Sequence, residues 1–148
     1  INALLVRGNE LYAGGSFTAF LSGQPIAEQV AKWNGNTWSA MGDGLEGSIF
    51  GVEEMIFADD AIIAIGWFET SGSKSVEGLA YYDGAEWYPL GPGLFKEFTG
   101  SSGRTVMRDI NRIYIGGFFE QAGNVWADNI AAFDLRTNLV HGDGFEGN

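Results

Sequence analysis

Apolar residues fall along the chain in short runs that end in glycine and an aromatic residue, and this pattern occurs three times. The runs are LYAGGSF (11–17), IIAIGWF (62–68) and IYIGGFF (113–119). Phe17, Phe68 and Phe119 are therefore separated by a constant step of 51 residues. Self-similarity at a fixed period is typical of repeat proteins, in which one supersecondary unit cannot bury its apolar faces alone and packs on its copies.

Each repeat predicts four short strands joined in series as one antiparallel meander. In the first repeat the strands are predicted at 1–6, 10–17, 30–33 and 37–41. Gly8-Asn9 and Asn34-Gly35 mark hairpin turns, because glycine and asparagine accept positive φ. Residues 18–29 are predicted as a long polar connection between the second and third strands.

The later repeats follow the same plan, with Asp59-Asp60 and Asp83-Gly84 at the turns of the second. In the third, Asn138 stands where the others have Trp38 and Trp87, so this repeat is predicted either to pack less tightly or to be packed by a different neighbour. We divide the chain into repeats 1–48, 49–103 and 104–148. The predicted fold class is all-β.

Composition supports this interpretation and excludes several classes of partner. Hydrophobic content of 45% excludes a disordered chain, and 23 glycines at recurring places are typical of tight turns. A net charge of −11 repels phosphate backbones and anionic lipids, so neither nucleic acid nor membrane insertion is expected. Zero cysteines exclude disulfides and thiolate sites. The first residue is Ile1 rather than methionine, so we expect a processed or trimmed chain.

The repeat resembles the kelch repeat of β-propellers. An apolar strand ends in glycine, and after a loop a second strand carries an aromatic residue followed by Asp or Asn, with a tryptophan after a short turn. The residues that carry the resemblance are Gly14-Gly15, Gly66, Gly116-Gly117, Trp33-Asn34, Tyr82-Asp83, Phe133-Asp134, Trp38 and Trp87. The residue sequence of the repeat is similar to that of kelch-like repeats of bacterial surface and secreted proteins. The resemblance covers the whole chain and implies propeller blades in a secreted or cell-surface protein.

Three blades are fewer than the four or more that a closed propeller needs. We therefore expect either part of a larger propeller, completed by further blades of a longer chain, or an oligomeric ring of copies. In both cases Trp33, Trp38 and Trp87 are predicted to lie in the core between blades.

Candidate catalytic chemistry is sparse. His141 is the only histidine and shares its column with Met41 and Leu90, which favours a packing residue over a catalytic base. Galactose oxidase has this blade type, but its copper chemistry needs a cysteine-linked tyrosine that a chain without cysteine cannot form. We predict no cofactor and no enzymatic activity.

Carboxylates in the GDG turns are the one candidate for a metal, because calcium prefers hard oxygen ligands. These carboxylates are Asp43, Glu46, Asp143 and Glu146. The second repeat has Pro92 and Phe95 in those columns. A structural turn is therefore favoured over a calcium site.

Candidate binding residues lie in or beside the long connections. Trp67 and Trp126 have no tryptophan counterpart in the other repeats, which favours a local contact over a repeated packing role. The connections also carry acidic residues that predict an acidic loop face, among them Glu28, Glu69, Glu120 and Asp128. Solvated charge is the alternative interpretation of this face.

We predict a non-enzymatic structural or recognition module of a secreted or cell-surface β-propeller protein, which binds protein or glycan through the long-loop face. Two alternatives stay open. The chain is the scaffold part of a larger enzyme with its catalytic residues elsewhere, or it is a self-assembling filament or ring subunit, because unpaired strand edges invite association.

Overall fold

The computed structural model of the chain describes residues 1–21, 24–97 and 100–135. This part consists of β-strands joined by turns and loops, so the all-β prediction is confirmed. The strands form several antiparallel sheets, of which three follow the three repeats in chain order.

Sheet 1 is a four-stranded antiparallel meander. It contains β1 (Ala3–Arg7), β2 (Glu10–Leu21), β3 (Gln24–Trp33) and β4 (Trp38–Ala40), hydrogen-bonded in that order. The prediction of a long connection over 18–29 was wrong, because Thr18 pairs with Glu28 and the ladder continues to Leu21 and Gln24. This connection is two residues longer than its counterparts, and the strands resume pairing in it after the irregularity that follows Gly14.

Sheet 2 is also a four-stranded antiparallel meander. It begins with β5 (Val52–Ala58) and β6 (Ala61–Gly66). A short hairpin of β7 (Thr70–Ser71) and β8 (Lys74–Ser75) follows, and β9 (Leu79–Tyr82) and β10 (Trp87–Pro89) complete the sheet in the order β10-β9-β6-β5. The predicted connection of the second repeat thus contains only the two-residue strands of that hairpin.

Sheet 3 is described through three antiparallel strands. After β11 (Leu94–Phe95), the chain forms β12 (Ser102–Arg108), β13 (Arg112–Phe118), β14 (Gln121–Ala122), β15 (Val125–Trp126) and β16 (Ile130–Asp134). Sheet 3 has the order β12-β13-β16, and a small separate sheet has the order β11-β14-β15. The fourth strand predicted for this repeat, with Asn138, lies outside the described residues.

Three of the tight turns are stabilised by the same pattern of side-chain hydrogen bonds. The side-chain oxygens of Asn34, Asp83 and Asp109 each accept two backbone N–H groups from residues two and three positions later, at 2.8–2.9 Å. Asn and Asp favour such turns because the short side chain replaces a backbone acceptor. The hairpins predicted at Asn34-Gly35 and Asp83-Gly84 are confirmed, and each spans four residues between paired strands.

The three sheets stack in chain order. β5 packs against β1 and β2, and β12 packs against β5 and β6. One apolar core lies between sheets 1 and 2 and a second lies between sheets 2 and 3. Trp87 is fully buried in the first core, as predicted, whereas Trp38 is 41% exposed on the outer side of sheet 1.

A glycine column explains part of the repeat. At Gly66 and Gly117 a Cβ atom would overlap the carbonyl oxygens of Gly51 and Ser102 on the neighbouring strand, and at Gly15 it would come within 2.8 Å of the Ile1 Cα. These three glycines are separated by the same 51-residue step. Each sheet therefore needs a residue without a side chain where its first two strands approach most closely.

Candidate functional site

The antiparallel meanders place the tight turns at one end of each sheet and the long connections at the other. We call the second end the loop edge. Among the described residues it comprises 16–18, 28–29, 41–51, 67–78, 90–97, 100–101 and 119–129. All six acidic and aromatic residues predicted as binding residues belong to this edge.

The loop edge is held together by backbone hydrogen bonds that repeat between sheets. The Glu69 N–H donates to the Glu46 carbonyl at 2.7 Å, and the Glu120 N–H donates to the Phe95 carbonyl at 2.8 Å. The segment that leaves one sheet is thereby joined to the long connection of the next. The backbone of Glu69 and Glu120 thus has a structural role, and the Glu120 carboxylate in addition pairs with Lys96.

A second acidic column has a similar backbone role. The carbonyl of Glu28 accepts the Leu45 N–H at 3.1 Å, and the carbonyl of Glu77 accepts the Leu94 N–H at 2.8 Å. Glycine precedes both leucines, and a Cβ at Gly93 would come within 2.5 Å of the Glu77 side chain. The GDG and GPG sequences are therefore explained by close packing of the exit segment, which agrees with the structural interpretation of these turns.

Two neighbouring clefts open at the loop edge. The first cleft, of about 470 Å³, is lined by Ser16, Phe17, Thr18, Glu28, Gln29, Gly47, Ser48 and Ile49. The second cleft, of about 370 Å³, is lined by Gly47, Ser48, Trp67, Phe68, Glu69, Glu77, Leu94, Phe95, Lys96, Gly100 and Ser101. Phe17 and Phe68 occupy one repeat column and Glu28 and Glu77 another, so the two clefts are repeats of one framework with different side chains.

The second cleft combines carboxylates, one cation and aromatic surface. Lys96 Nζ lies 3.2 Å from Glu120 Oε1 and 4.2 Å from the centre of the Phe118 ring. Ser75 Oγ donates to Glu77 Oε1 at 2.6 Å. Glu69 is exposed. The first cleft has Gly47 in the column of Lys96 and Thr18 in that of Glu69, so the second has more groups that can bind a polar ligand.

Trp67 has a defined position at the second cleft. Its indole Nε1 donates to Glu53 Oε1 at 3.2 Å, the Phe50 ring packs at 5.6 Å, and the Arg104 guanidinium lies 5.4 Å from its ring centre. Arg104 also pairs with Glu53 at 3.1 Å. These contacts hold the ring in one orientation, which lowers the entropy cost of stacking a ligand on its accessible surface.

The structure does not bring all of the predicted binding residues together. Trp67 and Glu69 line the second cleft, Glu28 lines the first, and Glu120 contacts the second through Lys96. Asp128 is exposed and lines neither cleft, and Trp126 is exposed on β15 and lines a different cavity, along β16. Sequence reasoning missed Lys96, which the 49-residue step from Gly47 could have identified as a cleft position.

The candidate calcium ligands are only partly described. Asp43 is exposed, with its carboxylate 3.9 Å from Lys74 Nζ, and Glu46 is exposed as well. Over 1–21, 24–97 and 100–135, no three acidic or histidine side chains group as metal ligands do. Asp143, Glu146 and His141 lie outside the described residues.

No protein-family model matches this sequence, and no curated protein matches it either. Within the described ranges, no helix is long and apolar enough to cross a membrane. The candidate site therefore depends on the geometry of the loop edge itself.

Ionisable groups with shifted pKa values lie on strands and tight turns. The hydrogen bond from Lys32, with a second from the Tyr12 hydroxyl, lowers the pKa of Glu10. Burial, together with that hydrogen bond to Glu10, raises the pKa of Tyr12 to about 12. Burial also raises the pKa of Tyr82. Backbone N–H groups of Asn111 and Arg112 lower the pKa of Asp109. These shifts follow from packing and turn formation.

Proposed function

We propose that the chain is a non-enzymatic structural and recognition module of a secreted or cell-surface β-propeller protein, in which each repeat is one kelch-like blade. The repeated meanders, their stacking in chain order and the repeated glycine column support the blade interpretation. Recognition of a protein or glycan takes place at the loop edge, and the second cleft is its centre.

The observation that carries the proposal is the difference between the two clefts. Both have the same backbone framework, but only the second adds Trp67, Glu69 and Lys96 to it. A rigid scaffold with variable side chains at its loops is how binding sites are commonly built. An aromatic ring beside carboxylates and an ammonium group suits a ligand with hydroxyl or charged groups and one apolar face.

Binding of the purified chain to arrays of glycans and cell-surface proteins tests the proposal. We expect retained ligands whose binding falls at least about tenfold in Trp67→Ala and in Glu69→Gln, because each variant removes a cleft contact. Ser16→Ala and Thr18→Ala, at the corresponding positions of the first cleft, serve as matched controls and should bind normally. Near-ultraviolet circular dichroism checks that the variants keep their packing.

Two results would contradict the recognition role. Uniform absence of binding on both arrays would leave only the structural role. Binding that is lost equally in the cleft variants and in the Ser16 and Thr18 controls would locate the ligand elsewhere on the molecule.

A further inference from the structure

Sheet 1 has one face whose paired side chains, named below, are all apolar and which no other described sheet covers. We call it the front face. Strand pairing places its side chains on one side of the sheet: Leu4, Val6, Leu11, Ala13, Ala31, Trp33, Trp38 and Ala40. Leu4 and Val6 are 60% and 66% exposed. A contiguous apolar face of this kind marks an association surface in a soluble protein.

The same columns in sheet 2 show what covers a front face. The counterparts of Leu4, Val6 and Trp38 are Met55, Phe57 and Trp87, and they pack in the core between sheets 1 and 2. The covering surface is the opposite face of sheet 1, which we call its back face. Tyr12 on that back face meets Phe57 edge to face, with ring centres 5.8 Å apart. Inside the molecule, the front face of one sheet therefore packs against the back face of the sheet before it.

Among the described residues, none covers the back face of sheet 3. It carries Thr105, Met107, Tyr114, Gly116, Ile130 and Ala132, with Arg112 and Asp134 at the tight-turn end. Met107 and Ile130 are 64% and 69% exposed, and Ile130 also borders a cavity of about 430 Å³ that runs along β16. The counterpart of this face on sheet 2 is buried against sheet 3, with Ile63, Ile65 and Leu79 in that core.

Each internal interface pairs one glycine with one branched side chain at the same register. Between sheets 1 and 2, back-face Gly14 lies under front-face Val52, whose Cγ1 is 2.8 Å from the position of a Gly14 Cβ. Between sheets 2 and 3 the sizes are reversed, because the glycine is front-face Gly103 and the branched residue is back-face Ile65. The Ile65 Cβ is 2.6 Å from the position of a Gly103 Cβ. In both interfaces one member must be glycine, since two side chains cannot occupy this space.

The two uncovered faces complete this series. Gly116 on the back of sheet 3 stands in the column of Gly14 and Ile65, and Ile1 stands in the column of Val52 and Gly103. Ile1 is 66% exposed and lines an apolar cavity of about 280 Å³ with Phe17 and Trp38. At the position where each internal interface combines a glycine with a branched side chain, the two outer faces thus have Gly116 and Ile1.

We propose that the front face of sheet 1 in one copy of this chain binds the back face of sheet 3 in a second copy, head to tail, with Ile1 packed over Gly116. The contact reproduces the internal interfaces and joins two different surfaces. Successive contacts therefore generate a closed ring or an open array rather than a two-fold dimer.

Association of the purified chain over a concentration series, followed by light scattering and native mass spectrometry, tests this proposal. We expect oligomers that form with rising concentration. Val6→Glu on the front and Ile130→Glu on the back should each weaken association at least about a hundredfold, because each buries a charge in an apolar contact. Ile49→Glu, at an 82% exposed position outside both faces, is the matched control.

Mixing the two blocked variants tests the polarity of the contact. Val6→Glu keeps a working back and Ile130→Glu keeps a working front, so an equimolar mixture should form one-to-one dimers and nothing larger. Dimers of the wild type that involve two front faces would give no such complementation and would overturn the proposal. A wild-type chain that stays monomeric at all concentrations would overturn it as well.

A size exchange tests the Ile1–Gly116 contact specifically. Gly116→Ile should abolish association while the monomer stays folded, because a Cβ there is close only to the movable Thr105 methyl group at 3.1 Å and makes an ordinary contact with the Asn129 carbonyl at 3.9 Å. Adding Ile1→Gly should restore association, since the pair then has the sizes of Ile65 and Gly103. Failure of the double variant to recover, with both monomers folded, would contradict the assigned register.

Discussion

Sheets 1 and 2 have matching residues in matching columns, yet their front faces differ in burial. Trp87 is fully buried, whereas Trp38 in the same column is 41% exposed. Met55 is likewise 3% exposed in sheet 2, beneath the back of sheet 1, whereas Leu4 in the same column is 60% exposed. The comparison teaches that strand pattern determines which side of a sheet a residue faces, while the neighbouring sheet determines what that residue contributes to stability.

Truncation of the two tryptophans should show the largest difference. Trp87→Ala should lower the free energy of unfolding by about 4 kcal/mol, because it leaves a cavity in a packed core. Trp38→Ala should cost about 1 kcal/mol, because its ring is partly exposed already. Denaturant unfolding of both variants in the monomeric Val6→Glu background measures this. Equal costs would show that the neighbouring sheet adds nothing to the burial of Trp87.

Two adjacent glycines separate contacts inside a sheet from contacts between sheets. Gly117→Ala should destabilise by about 3 kcal/mol, because its Cβ overlaps the backbone of Ser102 and Gly103. Gly116→Ala should cost less than about 1 kcal/mol, since only the Thr105 side chain must move. Thermal unfolding of the pair checks this order, and a reversed order would contradict the strand register of sheet 3.

Alkaline pH should weaken the contact between sheets 1 and 2. The folded-state pKa of Tyr12 is raised from 10.0 to about 12, so its contribution is fully present below pH 10 and is lost as pH rises through 12. Tyr12→Phe keeps the ring on Phe57 and should remove this part of the alkaline loss. Unfolding free energies measured across that pH range test it, and identical pH slopes in both proteins would exclude Tyr12 as a source.

The smallest expected effect concerns Asp59 at the tight-turn end, which contacts both neighbouring sheets. Its carboxylate is 2.6 Å from Arg108 Nη2, and its carbonyl accepts a hydrogen bond from Arg7 at 2.5 Å. Asp59→Asn should cost less than about 0.5 kcal/mol at low salt, and less again at high salt, because the pair is exposed. Asp60→Asn is the comparison and should cost less still, because its fully exposed carboxylate is 3.9 Å from Arg7 Nη1. An Asp59 effect that salt does not change would argue against an ionic origin.

Sequence reasoning correctly predicted the all-β class and the tight turns at Asn34 and Asp83, because local residue types determine these features. Asn34 and Asp83 favour their turns wherever the sheets lie. Sequence reasoning did not predict that the pairing of β2 with β3 extends beyond Thr18, which depends on strand pairing after an irregularity. It grouped Trp126 with Trp67, since neither has a tryptophan counterpart, although they lie on different surfaces. The role of Lys96 depends on its distance from Glu120, which no single repeat encodes.

Nuclear Overhauser measurements on methyl-labelled protein test the stacking of the three sheets most directly. A Gly14 Cβ would lie 3.1 Å from the Met55 methyl carbon, and a Gly103 Cβ would lie 3.1 Å from the Ile65 Cδ1. We predict cross-peaks from the Met55 methyl to the Gly14 α-protons and from the Ile65 methyl to the Gly103 α-protons. Absence of both cross-peaks, with the cross-strand peaks inside each sheet still present, would contradict the stacked arrangement.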